Sequence, residues 1–221
     1  MKKILAITST KRTRIIGIAV LFVLMSGSGL FAANQVVTTN SDAGIGSLRQ
    51  AIADVSDGGT ITFNLSTGNE TIVLSSELLI TAKGVTIDGA NTAGSSTWIT
   101  VQVTTPGTSP YRVFWIDALD KTSIISNLYV KGGKFSGTSS QGGGILLEQG
   151  ALNLSHVTVS DAQAYNGGGI AMIAPTSCTF DWVTVSNCTG TMGGGLYCGP
   201  DNNLTLNNCL FTGNTAMDPV P

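Results

Sequence analysis

Three glycine triplets at regular offsets, alternating apolar residues between them and a low charge content predict an all-β solenoid. The specific form is a right-handed parallel β-helix with a short N-terminal capping helix. The triplets are Gly142-Gly143-Gly144, Gly167-Gly168-Gly169 and Gly193-Gly194-Gly195, offset by 25 and 26 residues and followed by Ile145, Ile170 and Leu196. Leu152 to Val159 aligns with Cys178 to Val185 and with Leu204 to Phe211; apolar residues alternate within each half and a polar pair separates the halves. That is strand patterning with a corner between strands. A unit of this length cannot bury its own apolar face. Stacked on copies of itself it can, each strand pairing in parallel with its equivalent at about 4.8 Å per rung. Charged residues make up 11% of the chain, against roughly 25% in an average soluble protein, which argues against disorder. The 28 glycines follow no three-residue period, which excludes collagen. A leucine-rich repeat has a similar length but needs a helical segment and a leucine-asparagine signature, both missing here.

The elements follow in order. Residues 1–33 read as a secretory signal peptide. Lys2, Lys3, Lys11, Arg12 and Arg14 form a basic head, Ile15 to Met25 an apolar middle, and small residues lead to an exit near Ala32 or Ala33. The apolar run is shorter than the roughly twenty residues of a spanning helix, so an uncleaved anchor is the alternative. Beyond it, six basic residues face thirteen acidic ones, a formal −7. That surface repels polyanions, and no nucleic-acid partner is expected. Residues 34–59 read as an N-terminal cap, in which Leu48, Ile52 and Val55 share a helical face and Ser47 can cap. Residues 60–217 read as about six rungs, a rod on the order of 30 Å long. The early strands are Thr60–Phe63, Thr71–Leu74, Gly84–Gly89, Trp98–Val103, Tyr111–Ile116 and Ser123–Val130; the clearest repeats are 142–166, 167–192 and 193–217. The triplets serve a corner where the chain turns sharply or runs close to its neighbour, and Asp161, Asn187 and Gly213 share another turn suited to left-handed backbone. Residues 218–221 read as the tail of a truncated repeat array, whose uncapped last rung would self-associate.

Two stretches resemble known families. The Gly-Gly-Gly-Ile/Leu elements, together with Phe211-Thr212-Gly213-Asn214, are similar to the polymorphic outer-membrane-protein repeat, which pairs a Gly-Gly-Ala-Ile-like element with a Phe-x-x-Asn element. The last copy alone has the full second element; the earlier ones read Val159 to Ala162 and Val185 to Cys188, and a third glycine replaces the family's usual alanine. Val37 to Ile52, with its Gly-Ser-Leu-Arg-Gln-Ala-Ile core, resembles the start of many secreted bacterial β-helix proteins. The resemblances imply an exported, non-catalytic repeat protein of the cell surface, associated with the outer membrane or secreted, serving adhesion or display. Its partners would be glycans or host surface proteins.

β-Helices also host pectate lyases and polygalacturonases, so a lyase or hydrolase of acidic polysaccharide is the alternative. Such chemistry needs paired carboxylates, or a base with calcium-holding acids. The acids here are scattered, and Asp88 and Asp117, both at turns of irregular rungs, are the catalytic candidates. His156, the single histidine, shares a column with Trp182 and Asn208 between two inward runs and is expected to face outward. Trp182 is the binding candidate, as a platform for sugar stacking or as a turn-packing residue. Cys178, Cys188, Cys198 and Cys209 lack metal spacing; three sit in apolar columns, where buried thiols compete with disulfides. The triplets match neither a phosphate loop nor a calcium nonapeptide. No metal or cofactor is implied.

Overall fold

The computed structural model describes residues 33–66, 70–93, 98–200 and 203–217. The expected signal peptide (save Ala33) and the tail 218–221 lie outside the described residues. No helix among the described residues is long and apolar enough to cross a membrane.

In chain order the elements are β1 (Gln35–Val37), α1 (Leu48–Asp54), β2 (Thr60–Phe63), β3 (Thr71–Leu74), β4 (Leu78–Thr81), β5 (Thr86–Asn91), β6 (Ile99–Val103), β7 (Phe114–Lys131), β8 (Ile145–Ser160), β9 (Ile170–Asp181), β10 (Thr184–Ser186), β11 (Thr189–Gly190), β12 (Leu196–Cys198), β13 (Leu204–Asn207), β14 (Leu210–Thr212) and β15 (Thr215–Ala216). Every ladder between these strands is parallel. The chain coils about six times into a parallel β-solenoid with three faces. The first face stacks β4, β7, β8, β9 and β12. The second stacks β1, β2, β5, β7, β8, β9 and β13. The third stacks β3, β6, β7, β8, β10 and β14. The long strands β7 and β8 bend around the coil and serve all three faces.

The expected columns form as stacked rows, but in the last described rung Leu206 and Phe211, expected inside, are exposed because no described rung covers them. Leu152, Cys178 and Leu204 are successive partners, as are Leu154, Phe180 and Leu206, and Val159, Val185 and Phe211. Val157 and Val183 hold the position before Thr158 and Thr184, which pair, and both are buried. Period-two alternation turns every second side chain inward, where successive rungs interlock into one dry core.

The structure revises several expected bounds. The segment expected at Tyr111–Ile116 begins instead at Phe114 and runs on through the one expected at Ser123–Val130 as a single strand, β7, and the segment expected from Gly84 runs instead from Thr86 to Asn91. The sequence reading passed over β4, a short apolar run without glycine punctuation. The stretch read as a cap also carries β1, which pairs with β2. The cap helix itself forms as expected. The Ser47 hydroxyl accepts from the Gln50 N–H at 3.2 Å, and Leu48 and Ile52 are buried. Lys83 Nζ donates to the carbonyls of Ile52 at 2.5 Å and Val55 at 2.9 Å, placing a cation where the helix dipole favours one.

The glycine triplets divide their labour. Gly142, Gly167 and Gly193 have φ of +56°, +58° and +77°, the left-handed turn that begins each corner. The next two glycines lie against the neighbouring rung: Gly143 N–H donates to Gly168 O at 2.9 Å, and Gly168 N–H to Gly193 O at 3.1 Å. A Cβ on Gly168 would stand 2.2 Å from Thr189 O and 2.4 Å from Gly194 O, both backbone atoms. Asp161, Asn187 and Gly213 adopt left-handed backbone at their shared turn, as expected. Asn214 shows what the Phe-x-x-Asn element does. Its Oδ1 accepts from Cys188 N–H at 3.0 Å and its Nδ2 donates to Val185 O at 2.8 Å, tying its rung to the one before. Gly168→Ala is therefore expected to cost about 3 kcal/mol, the range for forced overpacking. Gly58→Ala, at φ +76° with open space around it, should cost about 1 kcal/mol. Urea unfolding of the two variants beside the parent checks this order.

Candidate glycan-binding strip

The corner between the second and third faces is a single residue in the later rungs. Asn127, His156, Trp182 and Asn208 occupy it in successive rungs, at φ of 54°, 55°, 54° and 53°. The backbone there is left-handed because one residue must redirect the strand while its neighbours, such as Leu154 and Val157 beside His156, both point inward. The corner side chain is thereby thrown outward. Asparagine and histidine suit such a conformation; a bulky residue such as tryptophan costs roughly 1–2 kcal/mol there. Asparagine holds the two ends of the column and His156 and Trp182 the middle, Trp182 being the costly occupant.

Those rings form a continuous surface. His156 and Trp182 stack with centroids 6.2 Å apart and planes 11° apart. Trp98 meets His156 edge-on at 6.0 Å and Tyr129 at 5.5 Å. Ile99 pairs with Leu128, and Leu128 with Val157, so Trp98 stands at the foot of the same column. Its indole leans past the short Asn127 to reach the rings above. Trp182 is 56% exposed and Tyr129 39%, and His156 is exposed as well. Polar groups line the margin. Asn127 Nδ2 donates to Asp88 Oδ1 at 2.8 Å, and Asn208 Nδ2 to Asp181 Oδ1 at 3.4 Å, so each asparagine reaches down to an acid of the rung below. Ser155 Oγ lies 3.0 Å from His156 Nδ1.

The structure places Trp182 and His156 facing outward and adds Trp98 and Tyr129, which the sequence reading left out. Trp98 follows Asn91 by seven residues without the phased repeat that marks the later rungs, so its place in the column is not legible from the residues alone. Asp88 and Asp117 are not brought together: Asp88 lies on the second face opposite Ser126, and Asp117 on the first face opposite Thr81. Asp88 Oδ1 is engaged by Asn127 Nδ2 and by Ala90 N–H at 3.1 Å, as a turn-forming residue. Asp117 Oδ1 is buried without a hydrogen-bond partner among the described residues. No group of three or more His, Cys, Asp or Glu that could hold a metal ion occurs among the described residues.

A second cluster is a clamp. Arg112, 5% exposed, lies over the Phe135 ring at 4.2 Å and beside the Trp115 ring at 5.7 Å, with Nε 3.4 Å from Glu77 Oε2. Trp115 Nε1 donates to Glu148 at 2.7 Å. Burial lowers the Arg112 pKa, while Glu77 and Glu148 oppose the shift. The cluster holds the loop carrying Phe135 against the first face.

Comparison with protein-family models, with curated proteins and with solved structures finds no match.

All four cysteines are free thiols; Cys178 and Cys188 are buried in the stack and Cys198 is exposed. Burial pushes the Cys178 and Cys188 thiols up to about 11. Because the unfolded chain ionises them near 9.0, it holds fewer protons than the folded chain above that pH. Their contribution to stability is therefore present below pH 9 and is lost as pH rises towards 11. A fall in the urea midpoint over that interval, diminished in Cys178→Ala/Cys188→Ala against its own value at pH 8, is the expected result. In the folded protein at pH 8, a thiol reagent should label Cys198 first and Cys178 and Cys188 only on unfolding.

Proposed function

We propose that the chain is an exported, non-catalytic β-helix protein of the bacterial cell surface or secreted fraction, an adhesion or display module that binds glycans. The resemblance to the polymorphic outer-membrane-protein repeat supplies the cell-surface setting. The observation that carries the binding role is the aromatic strip Trp98–Tyr129–His156–Trp182 on an otherwise polar corner. Aromatic faces are apolar, polarisable platforms with a negative π-face, which suits the slightly positive C–H groups of a sugar ring. The surrounding carboxylates, amides and hydroxyl satisfy sugar hydroxyls at the rim. An aromatic surface rimmed by polar residues is the usual mark of an interaction site; here His156, Trp182 and Tyr129 are exposed and Trp98 half-buried, and Trp182 is kept despite unfavourable backbone.

Screening the folded chain on a glycan array, with Trp182→Ala and Trp98→Ala in parallel, tests the reading. Binding reduced roughly tenfold in either variant, about 1.4 kcal/mol, with unchanged circular dichroism, is the expected outcome. Binding to host surface proteins that ignores both substitutions would replace the glycan reading.

We further propose that the 221-residue chain self-associates through its last described rung, where Leu206, Leu210 and Phe211 are exposed. Sedimentation should show a concentration-dependent dimer that Phe211→Lys abolishes.

A further inference from the structure

The strip also carries information about which glycan it takes. We infer that its ligand is an uncharged polysaccharide chain, laid along the rod axis across successive rungs. The inference rests on the glycan-binding reading above and narrows it.

Direction comes from the fold. The rings of Trp98, His156 and Trp182 belong to rungs stacked along the axis, and their centroids follow one another at 6.0 and 6.2 Å. A ligand lying across the rungs would meet the corner once and then run over flat strands; one lying along the axis passes Trp98, His156 and Trp182 in turn, the first two rings edge to face and the last two nearly parallel. Tyr129 widens the platform on the side of the third face, where it stands in register with Thr158.

Charge comes from the margin. The two titratable groups that border the column on the second face are both acids, Asp88 and Asp181, each held by an asparagine of the next rung. On the third face the base in the Tyr129 strand is Lys131, two residues beyond Tyr129 and farther from the corner, in register with Ser160. His156 and Tyr129 are the titratable groups within the strip itself, and His156 Nδ1 lies against Ser155 Oγ. A uronate or sulfated chain would bring its anions against Asp88 and Asp181, with Lys131 set back from the corner. A neutral chain offers hydroxyls, which those carboxylates accept, and C–H faces, which the rings accept.

The experiment is affinity gel electrophoresis of the full described chain in gels containing β-glucan, galactomannan or hydroxyethylcellulose, and in gels containing polygalacturonate or alginate, at about 0.15 M salt, where repulsion between exposed charges reaches about 8 Å. Trp98→Ala, Trp182→Ala and Trp182→Phe run alongside, with thermal unfolding to confirm each fold. Retardation by at least one neutral polymer, weakened roughly tenfold by either alanine variant and largely kept in Trp182→Phe, is expected. Uronate polymers should give none. With the neutral polymer, affinity for oligosaccharide fragments should rise with length until the fragment spans Trp98 to Trp182, then level off. Uronate polymers bound as tightly, with the same tryptophan dependence, would overturn this inference and leave the glycan-binding reading standing. Neutral polymers bound without tryptophan dependence would remove the strip as the site. Retardation by no polymer would sink both.

Discussion

Close backbone contact between one rung and the next governs this molecule. The solenoid exists because each turn's N–H and C=O groups find their partners one turn away, and this must hold at the corners as well as along the flat faces. At the corner before the first face, the glycine triplets stack on one another through direct hydrogen bonds. No side chain fits there, since even a methyl group would enter the carbonyl of the neighbouring triplet. The interior columns follow from that spacing. Once the rungs are locked at a strand-pairing distance, Leu154 must meet Phe180 and Val159 must meet Val185, and the dry core fills without further instruction.

The other corner is under a different constraint. A single residue in left-handed backbone suffices to turn the chain, and its side chain has no inward option. The fold therefore supplies a row of outward positions whose occupants are free of packing duty. Asparagine takes two of them and clips its rung to an acid below. His156 and Trp182 take the others, Trp182 at an energetic disadvantage, and they join Trp98 and Tyr129 in one aromatic surface. A position that breaks the local backbone preference without filling the core is where function is expected to reside. The scaffold thus converts a one-dimensional repeat into a linear site, suited to a linear ligand.

Much of the scaffold could be read directly from the residues. The offset of the triplets gave the rung length, the alternation of Leu152, Leu154, Val157 and Val159 gave the inward rows, and Ser47 with Leu48 and Ile52 gave the cap. These are local signals that repeat in phase. The early rungs were less legible because insertions between Phe63 and Thr71 and between Asn91 and Trp98 break the phase, and β4 carries no punctuation at all. The site was half legible for the same reason. His156, Trp182 and Asn208 sit in phased repeats and share a visible column, whereas Trp98 joins it across an insertion and Tyr129 joins it from the neighbouring face.

By itself, the sequence determined the coiling, the length of each turn and the identity of the buried rows, since those depend on period and on glycine where only glycine fits. Tertiary structure alone decided that four aromatic side chains from four successive rungs converge on one corner, and that Asp88 and Asp117 do not. Convergence of that kind depends on how many residues each irregular turn spends before it rejoins the ladder. Hydrogen bonding to the rung below sets that number, and the residues of the turn do not record it.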